Sequence, residues 1–133
     1  MENEIARARR ADGRLVLAFV DVDDLKVVND REGHAAGDAL LRDVAAALRA
    51  ALRSYDPLMR YGGDEFVCTI AGIDEDGAAE RFRAVQASLA TRDHASISVG
   101  FATLGPADTL EDLMSRADAA LQTVKRSRTE RVR

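Results

Sequence analysis

The sequence contains a single cysteine, Cys68, and only two histidines. One cysteine cannot form an internal disulfide and excludes a metal site built on several thiolates, while two histidines disfavour a histidine-rich zinc site. Long apolar runs are also missing, because the longest, Leu15 to Val20, falls far short of the roughly 18 residues of a membrane span. The N-terminus has no apolar secretory segment. We therefore expect a cytoplasmic protein that makes no membrane contact through this segment.

The 133 residues, of which 47% are apolar and 32% charged, predict one globular domain, residues 1–133, with its own core. A net charge of −4 disfavours a nucleic-acid partner. The charge is uneven, with six acids against two bases in residues 21–38 and five bases against one acid in residues 125–133. Acids that converge in a pocket need a cation, whereas the basic tail either holds phosphates or is solvated.

Hydrophobic patterns predict four strands. A strand is predicted over residues 14–20, where the apolar run from Leu15 to Val20 is typical of a strand buried on both faces. Short strands are predicted over residues 58–60 and 66–70. Residues 96–102 alternate apolar with small or polar side chains, which predicts a strand with one buried face.

Helical spacing predicts the remaining elements. Residues 1–12 form one helix, and a short acidic helix precedes a longer helix over residues 36–52. Two further apolar stripes mark the last helices. The first stripe is Ala78, Phe82, Val85 and Leu89, and the second is Leu110, Leu113, Met114, Ala117, Leu121 and Val124. Thr109 and Asp112 resemble a capping box at the start of the final helix.

The order β-α-α-β-β-α-β-α predicts an α+β fold, a ferredoxin-like, palm-type sandwich with a mainly antiparallel sheet flanked by helices. In that topology the first strand and both hairpin strands are central neighbours. Gly62-Gly63 indicates a tight two-residue turn with positive φ. Asp21, at the end of the first strand, is then expected close to residues 62–65.

Two pairs of acids are predicted to meet there. Asp21 and Asp23 share a face if the strand continues, and Asp64 and Glu65 flank the glycine turn. Converging carboxylates without histidine or thiol point to Mg²⁺ or Mn²⁺. Either pair alone is readily explained by solvation. Together with Lys26, the two pairs favour metal-assisted phosphoryl chemistry.

Several blocks of sequence resemble the GGDEF diguanylate cyclases, and the resemblance runs from Leu15 to Lys125. The blocks are Arg60 with Tyr61–Phe66, Asp21–Asp30, Gly33-His34 with Gly37-Asp38, Ile97–Ala102, and Arg116–Leu121 with Lys125. The resemblance implies an enzyme that condenses two GTP into cyclic di-GMP and two pyrophosphates. It also implies Mg²⁺ (or Mn²⁺) and a homodimer in which two domains meet.

The resemblance assigns chemical roles to individual residues. Asp21, the carbonyl of Val22, Asp64 and Glu65 are the implied metal ligands. Asp64 is also implied to help remove the proton of the ribose 3′-hydroxyl, and Lys26 to stabilise charge on the phosphates.

Substrate contacts are implied at a second group of positions. Asn29 and Asp38 resemble the guanine-binding residues, although Asn29 otherwise suits a helix end and Asp38 an N-cap. Gly62 and Gly63 would let the backbone approach the nucleotide, and Lys125 would contact phosphate. Lys26 belongs to this group as well.

Arg53 and Asp56 have the RxxD form of the family's inhibitory product site, which binds cyclic di-GMP away from the active site. Arg81 is a candidate for a second arginine there. The alternative for Arg53 and Asp56 is an ordinary ion pair at a helix end.

The sequence also departs from the family. The N-terminal segment of the form DxLTGLxNR is absent, so we expect an N-terminally truncated domain from a larger multidomain protein. The residues after Lys125 differ from the family pattern, and Arg128 is a candidate for the displaced phosphate contact. These departures favour an alternative function, a catalytically weak or inactive domain that binds GTP or cyclic di-GMP as a regulatory module. A purely structural dimerisation module would leave the acidic cluster unexplained.

Overall fold

The computed structural model describes residues 1–132, with side chains described through residue 128; Arg133 of the basic tail lies outside the described residues. The described elements are α1 (Glu2–Arg10), β1 (Leu15–Val22), α2 (Leu25–Glu32), α3 (His34–Ala51), β2 (Leu58–Arg60), β3 (Glu65–Ala71), α4 (Glu75–Asp93), β4 (Ile97–Thr103) and α5 (Leu110–Val132). After α1 they follow the predicted order, which confirms the α+β class. No helix within the described residues is both long and apolar enough to cross a membrane.

The strands form one antiparallel sheet in the order β2-β3-β1-β4. Strands β1 and β3 are central neighbours, as predicted. The expectation that β2 is also central is wrong, because this three-residue strand pairs with β3 alone and lies at the edge. β4 occupies the other side of β1 instead.

Helices cover both faces of the sheet. All eight residues of β1 are buried, which confirms the prediction of a doubly covered strand. On one face, Val20 and Phe66 belong to the core formed with α3 and α4. On the other face, Leu17 and Val67 pack with α1 and α5. Alternate residues of each central strand therefore feed two separate cores.

Strand β4 differs from the prediction of a single buried face. Ile97 and Val99 belong to the core with α3 and α4, and Ala102 belongs to the core with α1 and α5. Gly100 lies under α5, where an added Cβ would stand 2.2 Å from both the Ala117 carbonyl oxygen and the Leu121 nitrogen. The glycine allows the backbone of α5 to cover this face of β4. The prediction that β4 has only one buried face is therefore wrong.

The start of α5 is fixed by the predicted capping box. The Thr109 nitrogen donates to the Asp112 carboxylate (3.0 Å), and the Asp112 nitrogen donates to the Thr109 hydroxyl (3.1 Å). The backbone hydrogen bond from Thr109 lowers the pKa of Asp112. The helix then buries Leu113, Ala117 and Leu121, whereas Val124 at the end of the predicted stripe is exposed.

Candidate active site

Antiparallel pairing of β1 with β3 brings the two acidic segments together. Asp21 stands opposite Glu65 in the register, and the Val22 nitrogen donates to the Asp64 carbonyl oxygen at 2.9 Å. Because the end of β1 faces the start of β3, residues 44 positions apart become neighbours. This confirms that Asp21 lies beside residues 62–65.

The turn between β2 and β3 differs from the one predicted. It spans four residues, 61–64, and is closed by a 2.8 Å bond from the Tyr61 nitrogen to the Glu65 carbonyl oxygen. Among the described residues, positive φ in glycine occurs at Gly33 and Gly72, and not at Gly62 or Gly63. The tight-turn prediction is wrong because a four-residue loop reverses the chain without left-handed backbone.

Arg60 supports this turn from outside. Its guanidinium donates to the carbonyl oxygens of Gly62 (3.2 Å) and Gly63 (2.7 Å). A Cβ at Gly62 would lie 2.5 Å from Oε1 of Glu65, whereas a Cβ at Gly63 would meet nothing within 4 Å. Gly62 therefore accommodates the Glu65 carboxyl, and Gly63 leaves an open surface.

The Asp21 carboxyl is the most strongly perturbed acid of the site. Asp21 is 5% exposed, and burial raises the pKa of its carboxyl from 3.8 to about 6. Lys125, whose Nζ lies 2.5 Å from Oδ2 of Asp21, opposes this shift, and the Asp64 carboxyl within hydrogen-bonding reach adds to it. The same ion pair raises the pKa of Lys125. The carboxyls of Asp21 and Asp64 therefore lie in a partly desolvated environment, with the ammonium of Lys125 beside Asp21.

Glu65 lies on the same face of the sheet as Asp21, beneath α5. Burial raises the pKa of Glu65, with smaller contributions from the carboxylates of Asp64 and Asp118. The carboxylates at the end of β1 and the start of β3 thus lie close together, and Lys125 pairs with one of them, Asp21. A cluster of carboxylates of this kind attracts a cation.

Asp23 does not join these acids. Its carboxylate accepts hydrogen bonds from the hydroxyls of Ser96 (2.7 Å) and Ser98 (2.8 Å) and pairs with Arg128 at 2.8 Å. Arg128 also reaches Asp24 at 3.6 Å. The serines and Arg128 were not predicted as Asp23 partners. The available signal was that Arg128 follows Lys125 by three residues, which places both cations on one side of a helix.

The donor set fits a hard divalent cation in part. Within the described residues, no three histidine, cysteine, aspartate or glutamate side chains converge into a group that could hold a metal ion. Asp21 and Asp64 form a close carboxylate pair, with Glu65 beside Asp21 in the register. Oxygen donors of this kind suit Mg²⁺ or Mn²⁺, whose remaining positions are commonly filled by water and substrate phosphates. The full ligand set, including Val22, stays a prediction.

The predicted guanine-binding residues lie on neighbouring helices. Asn29 is half-buried in α2, and its side chain fills the space beside Gly37, where a Cβ would lie 1.7 Å from Oδ1 of Asn29. Asp38 is exposed on α3. Asn29 does not end its helix, because α2 continues to Glu32. Asp38 is not an N-cap, because the N-cap of α3 is Gly33. Both side chains are thus free of those end-of-helix roles.

Lys26 lies one residue inside α2, directly after the acidic end of β1. The residue before the helix, Asp24, adopts a left-handed conformation with φ of 60°. The helix begins at Leu25, so Lys26 lies in its first turn, where it is exposed. Lys26 is therefore available to a ligand bound near the strand ends.

Arg53 and Asp56 bind each other. Asp56 is 2% exposed, and its carboxylate accepts from the nitrogen and Nε of Arg53 at 2.9 and 3.0 Å. The Arg53 guanidinium also donates to the Ala71 carbonyl oxygen, and Arg49 donates to the Asp56 carbonyl oxygen at 2.8 Å. The ion-pair alternative is therefore present in the structure, and a product site here stays a prediction. The candidate second arginine, Arg81, has a buried Nη1 with no hydrogen-bond partner among the described residues.

Replacement of Arg53 by Ala should lower the free energy of unfolding by about 2 kcal/mol, because the buried Asp56 carboxylate loses its charged partner. Urea denaturation measures the change. Arg83→Ala is the matched control, since its ion pair with Glu80 is exposed on both sides and should contribute less than about 0.5 kcal/mol. Equal losses in the two variants would contradict a structural role for Arg53.

Comparison with known proteins identifies the family. The family model described as diguanylate cyclase, GGDEF domain, matches residues 1–131. The diguanylate cyclase DgcP of Pseudomonas aeruginosa is 34% identical over 99% of this chain and 21% of its own length, and DgcS of Shewanella oneidensis is 34% identical over 96% and 44%. The chain thus spans less than half of these curated relatives.

Solved structures agree in fold. The GGDEF domain of DgcB from Caulobacter crescentus, in complex with c-di-GMP, superposes with a TM-score of 0.88 at 28% identity, covering 95% of this chain and 80% of that chain. The active GGEEF domain of a Vibrio cholerae diguanylate cyclase gives 0.87 at 26% identity, covering 95% and 85%. With the family match over nearly all its residues, the chain belongs to the GGDEF domain family of diguanylate cyclases.

Proposed function

We propose that this domain condenses two GTP molecules into cyclic di-GMP with release of two pyrophosphates. The observation that carries the proposal is the pairing of β1 with β3, which sets Asp21 opposite Glu65 and joins the Val22 nitrogen to the Asp64 carbonyl oxygen at 2.9 Å, so the strand end meets the GGDEF turn. In each half-reaction a 3′-oxygen forms a bond to the α-phosphorus of the other GTP. The bond from that phosphorus to the β-phosphate oxygen breaks, pyrophosphate leaves, and the 3′-hydroxyl loses its proton.

The carboxylates of the turn and of the strand end would hold the metal ion and remove the proton of the attacking hydroxyl. Mg²⁺ or Mn²⁺, when bound, supplies polarisation of the α-phosphate and lowers the pKa of the attacking hydroxyl. Asp21 and Glu65 would hold the cation with the Val22 carbonyl. Asp64, half-buried in the turn, would also draw the proton away from the 3′-oxygen.

Two lysines would bind the phosphates. Lys26 is exposed in the first turn of α2, next to the acidic strand end. Lys125 pairs with Asp21, which supports this role because its ammonium lies beside a carboxylate proposed to hold the cation. Positive charge at these positions stabilises the charge that spreads over the phosphoryl oxygens during transfer.

The guanine base would bind between α2 and α3, where Asn29 and Asp38 would recognise it. The Asp38 carboxylate can accept from guanine N1–H and the 2-amino group, and the Asn29 amide can serve the other edge atoms. Adenine offers no matching donors, so it would leave Asp38 unpaired. The open surface at Gly63 and the small Gly62 would let the nucleotide approach the backbone.

Catalysis would need two domains, because one domain offers one set of carboxylates and one guanine-binding pair. A single site cannot present both reacting ends of two GTP molecules in line. We propose a homodimer in which two copies face each other, within a longer cytoplasmic protein of which this domain is a part. Cyclic di-GMP would act as product and, at Arg53 and Asp56, as an inhibitor.

A second candidate function is a regulatory module that binds GTP or cyclic di-GMP without turnover. The ion pairs of Lys125 with Asp21 and of Arg128 with Asp23 favour it, because cations of the chain itself already pair with two of the acids. Metal binding then has to compete with Lys125 for Asp21. Product analysis separates the two functions.

The proposed cyclase should show specific activity that rises with protein concentration, because two domains must meet for each turnover. The domain is incubated with GTP and Mg²⁺ across a wide dilution series, and cyclic di-GMP is measured by chromatography. Fusion to a dimeric coiled coil should raise activity at low concentration and flatten the dependence.

Flat specific activity from a chain that ultracentrifugation shows to be monomeric would contradict the two-domain mechanism. GTP binding without product, in the fused as well as the unfused chain, would support the regulatory module instead.

A further inference from the structure

Gly37 lies buried in α3, against the side chain of Asn29 from α2. A Cβ at Gly37 would stand 1.7 Å from Oδ1 of Asn29, 2.8 Å from its Cγ and 3.4 Å from its Nδ2. These are the three nearest atoms to such a Cβ, and all of them belong to one side chain. The Asn29 amide therefore occupies the volume that any other residue at position 37 would fill.

The backbone of α3 does not itself require a glycine at this position. Among the described residues, the glycines with positive φ are Gly33 and Gly72, so a side chain at position 37 would meet no backbone strain. Glycine inside a helix is less favourable than alanine, because it loses more conformational freedom on folding. What offsets this cost is the space that Gly37 leaves for Asn29.

The link between α2 and α3 fixes how the two residues meet. A single residue, Gly33, is both the C-cap of α2 and the N-cap of α3, with φ of 92°. Its nitrogen donates to the Asn29 carbonyl oxygen at 2.9 Å. Because so short a link leaves the helices little freedom to shift, a clash at Gly37 is relieved by rotation of the Asn29 side chain.

We propose that Gly37 is a positioning residue for guanine specificity, because the space beside it sets the position of the Asn29 amide. The inference rests on the proposed function, in which Asn29 and Asp38 recognise the base. Gly37 and Asp38 are consecutive in α3, so the amide and the carboxylate are placed from adjacent points of one helix. Hydrogen bonds weaken steeply with misalignment, so a displaced amide would no longer pair with the base.

Gly37→Ala should displace the Asn29 amide and reduce the preference for guanine. Binding is measured by calorimetry with Mg²⁺ and the α,β-methylene analogues of GTP and ATP. These analogues bind without phosphoryl transfer, because carbon replaces the oxygen between the first two phosphates. The affinity for the GTP analogue relative to the ATP analogue should fall about tenfold, as expected when a base edge loses a hydrogen-bond partner.

Asn29→Ala and the double variant Asn29→Ala/Gly37→Ala complete a double-mutant cycle. Asn29→Ala should lower the affinity ratio by the same amount, and the added Gly37→Ala change should cause no further loss once the amide is gone. It should also raise the melting temperature of Asn29→Ala by about a few degrees, because alanine then replaces glycine in a helix without a clash.

Ala46→Ser is the matched control, because it also adds one heavy atom to α3 but at an exposed position. It should bind both analogues as the wild type does. A merely structural role for Gly37 would weaken the two analogues alike in Gly37→Ala, so the affinity ratio distinguishes positioning from general distortion of the site.

The proposal is overturned by an unchanged ratio in Gly37→Ala, by equal losses for both analogues, or by additive losses in the double variant. A double variant that does not fold would show that the glycine serves something other than Asn29. If Gly37→Ala alone does not fold, the contact supports the fold rather than the position of the amide, which also overturns the proposal.

The wild-type chain separates this inference from the proposed function. Equal binding of the two analogues by the wild type, or no binding of either, would overturn guanine recognition together with the role of Gly37. A wild-type preference for the GTP analogue that persists in Gly37→Ala would overturn the role of Gly37 alone.

Discussion

Asp21→Asn and Asp64→Asn should each reduce cyclic di-GMP formation by about 1000-fold or more, since each removes a charged oxygen from the close carboxylate pair. Turnover is measured in the concentrated or coiled-coil-fused protein with saturating GTP and Mg²⁺. Both variants should fold, because Asn nearly preserves the shape of Asp. Wild-type turnover in both variants would contradict the proposed role of this pair.

The same Asp21→Asn change should stabilise the protein when metal is removed with EDTA. The pKa of Asp21 is about 6 in the fold against an ordinary 3.8, so the fold disfavours the ionised form. The contribution of Asp21 to the free energy of unfolding is therefore most favourable when Asp21 is protonated, and it falls as the pH rises from about 4 to about 6. A shift of this size corresponds to about 3 kcal/mol, reduced to the extent that Asn leaves Lys125 without its partner.

Asp23→Asn is the matched control for this stability effect. Asp23 accepts two serine hydrogen bonds and pairs with Arg128, so its carboxylate is supported and its loss should destabilise the fold. Urea denaturation at pH 4 and pH 8 distinguishes the variants. A wild-type chain whose stability rises between these pH values more than that of Asp21→Asn would contradict the assigned cause.

Gly100→Ala should lower the free energy of unfolding by at least about 3 kcal/mol, the upper part of the range for overpacked positions. The added Cβ would stand 2.2 Å from backbone atoms of Ala117 and Leu121, and backbone cannot move aside as a flexible side chain does. The change should therefore separate α5 from β4. Denaturation by urea, with circular dichroism as the signal, measures the loss.

Gly63→Ala is the matched control for the glycine effect. A Cβ there meets nothing within 4 Å and its φ is not positive, so stability should stay within about 0.5 kcal/mol of wild type. Turnover should nevertheless fall if the nucleotide approaches this backbone, which separates the two roles of glycine. A Gly100→Ala protein as stable as Gly63→Ala would contradict the close approach of α5.

Local sequence patterns were sufficient to predict most of the helices and strands. The apolar run before Asp21 predicted a strand covered on both faces, and the stripe from Ala78 to Leu89 predicted the buried side of α4. These predictions succeed because burial of a strand or helix face repeats with the period of that element. The predicted topology placed Asp21 beside the turn, because neighbouring antiparallel strands bring the end of one beside the start of the other.

Local sequence patterns gave wrong predictions at two groups of glycines. The small residues of β4 predicted a solvent-facing side, yet Gly100 is small because the backbone of α5 crosses there. The glycines of the GGDEF turn predicted positive φ, yet the loop is long enough to reverse without it. At Gly100 the close neighbour is a helix outside the local sequence, whereas Gly62 makes room for the Glu65 side chain only three residues away.

By itself the sequence determined the fold class, the meeting of Asp21 with the Asp64–Glu65 turn, and the family resemblance that the comparisons confirm. The tertiary structure decided which charges pair. Lys125 binds Asp21, Arg128 binds Asp23, and Arg53 is held by Asp56. Two of these three pairs join residues more than 100 positions apart, so they depend on how α5 seats on the sheet. The periodicity of the apolar residues predicts which face of an element is buried, whereas the packing between elements determines the partner of each buried charge.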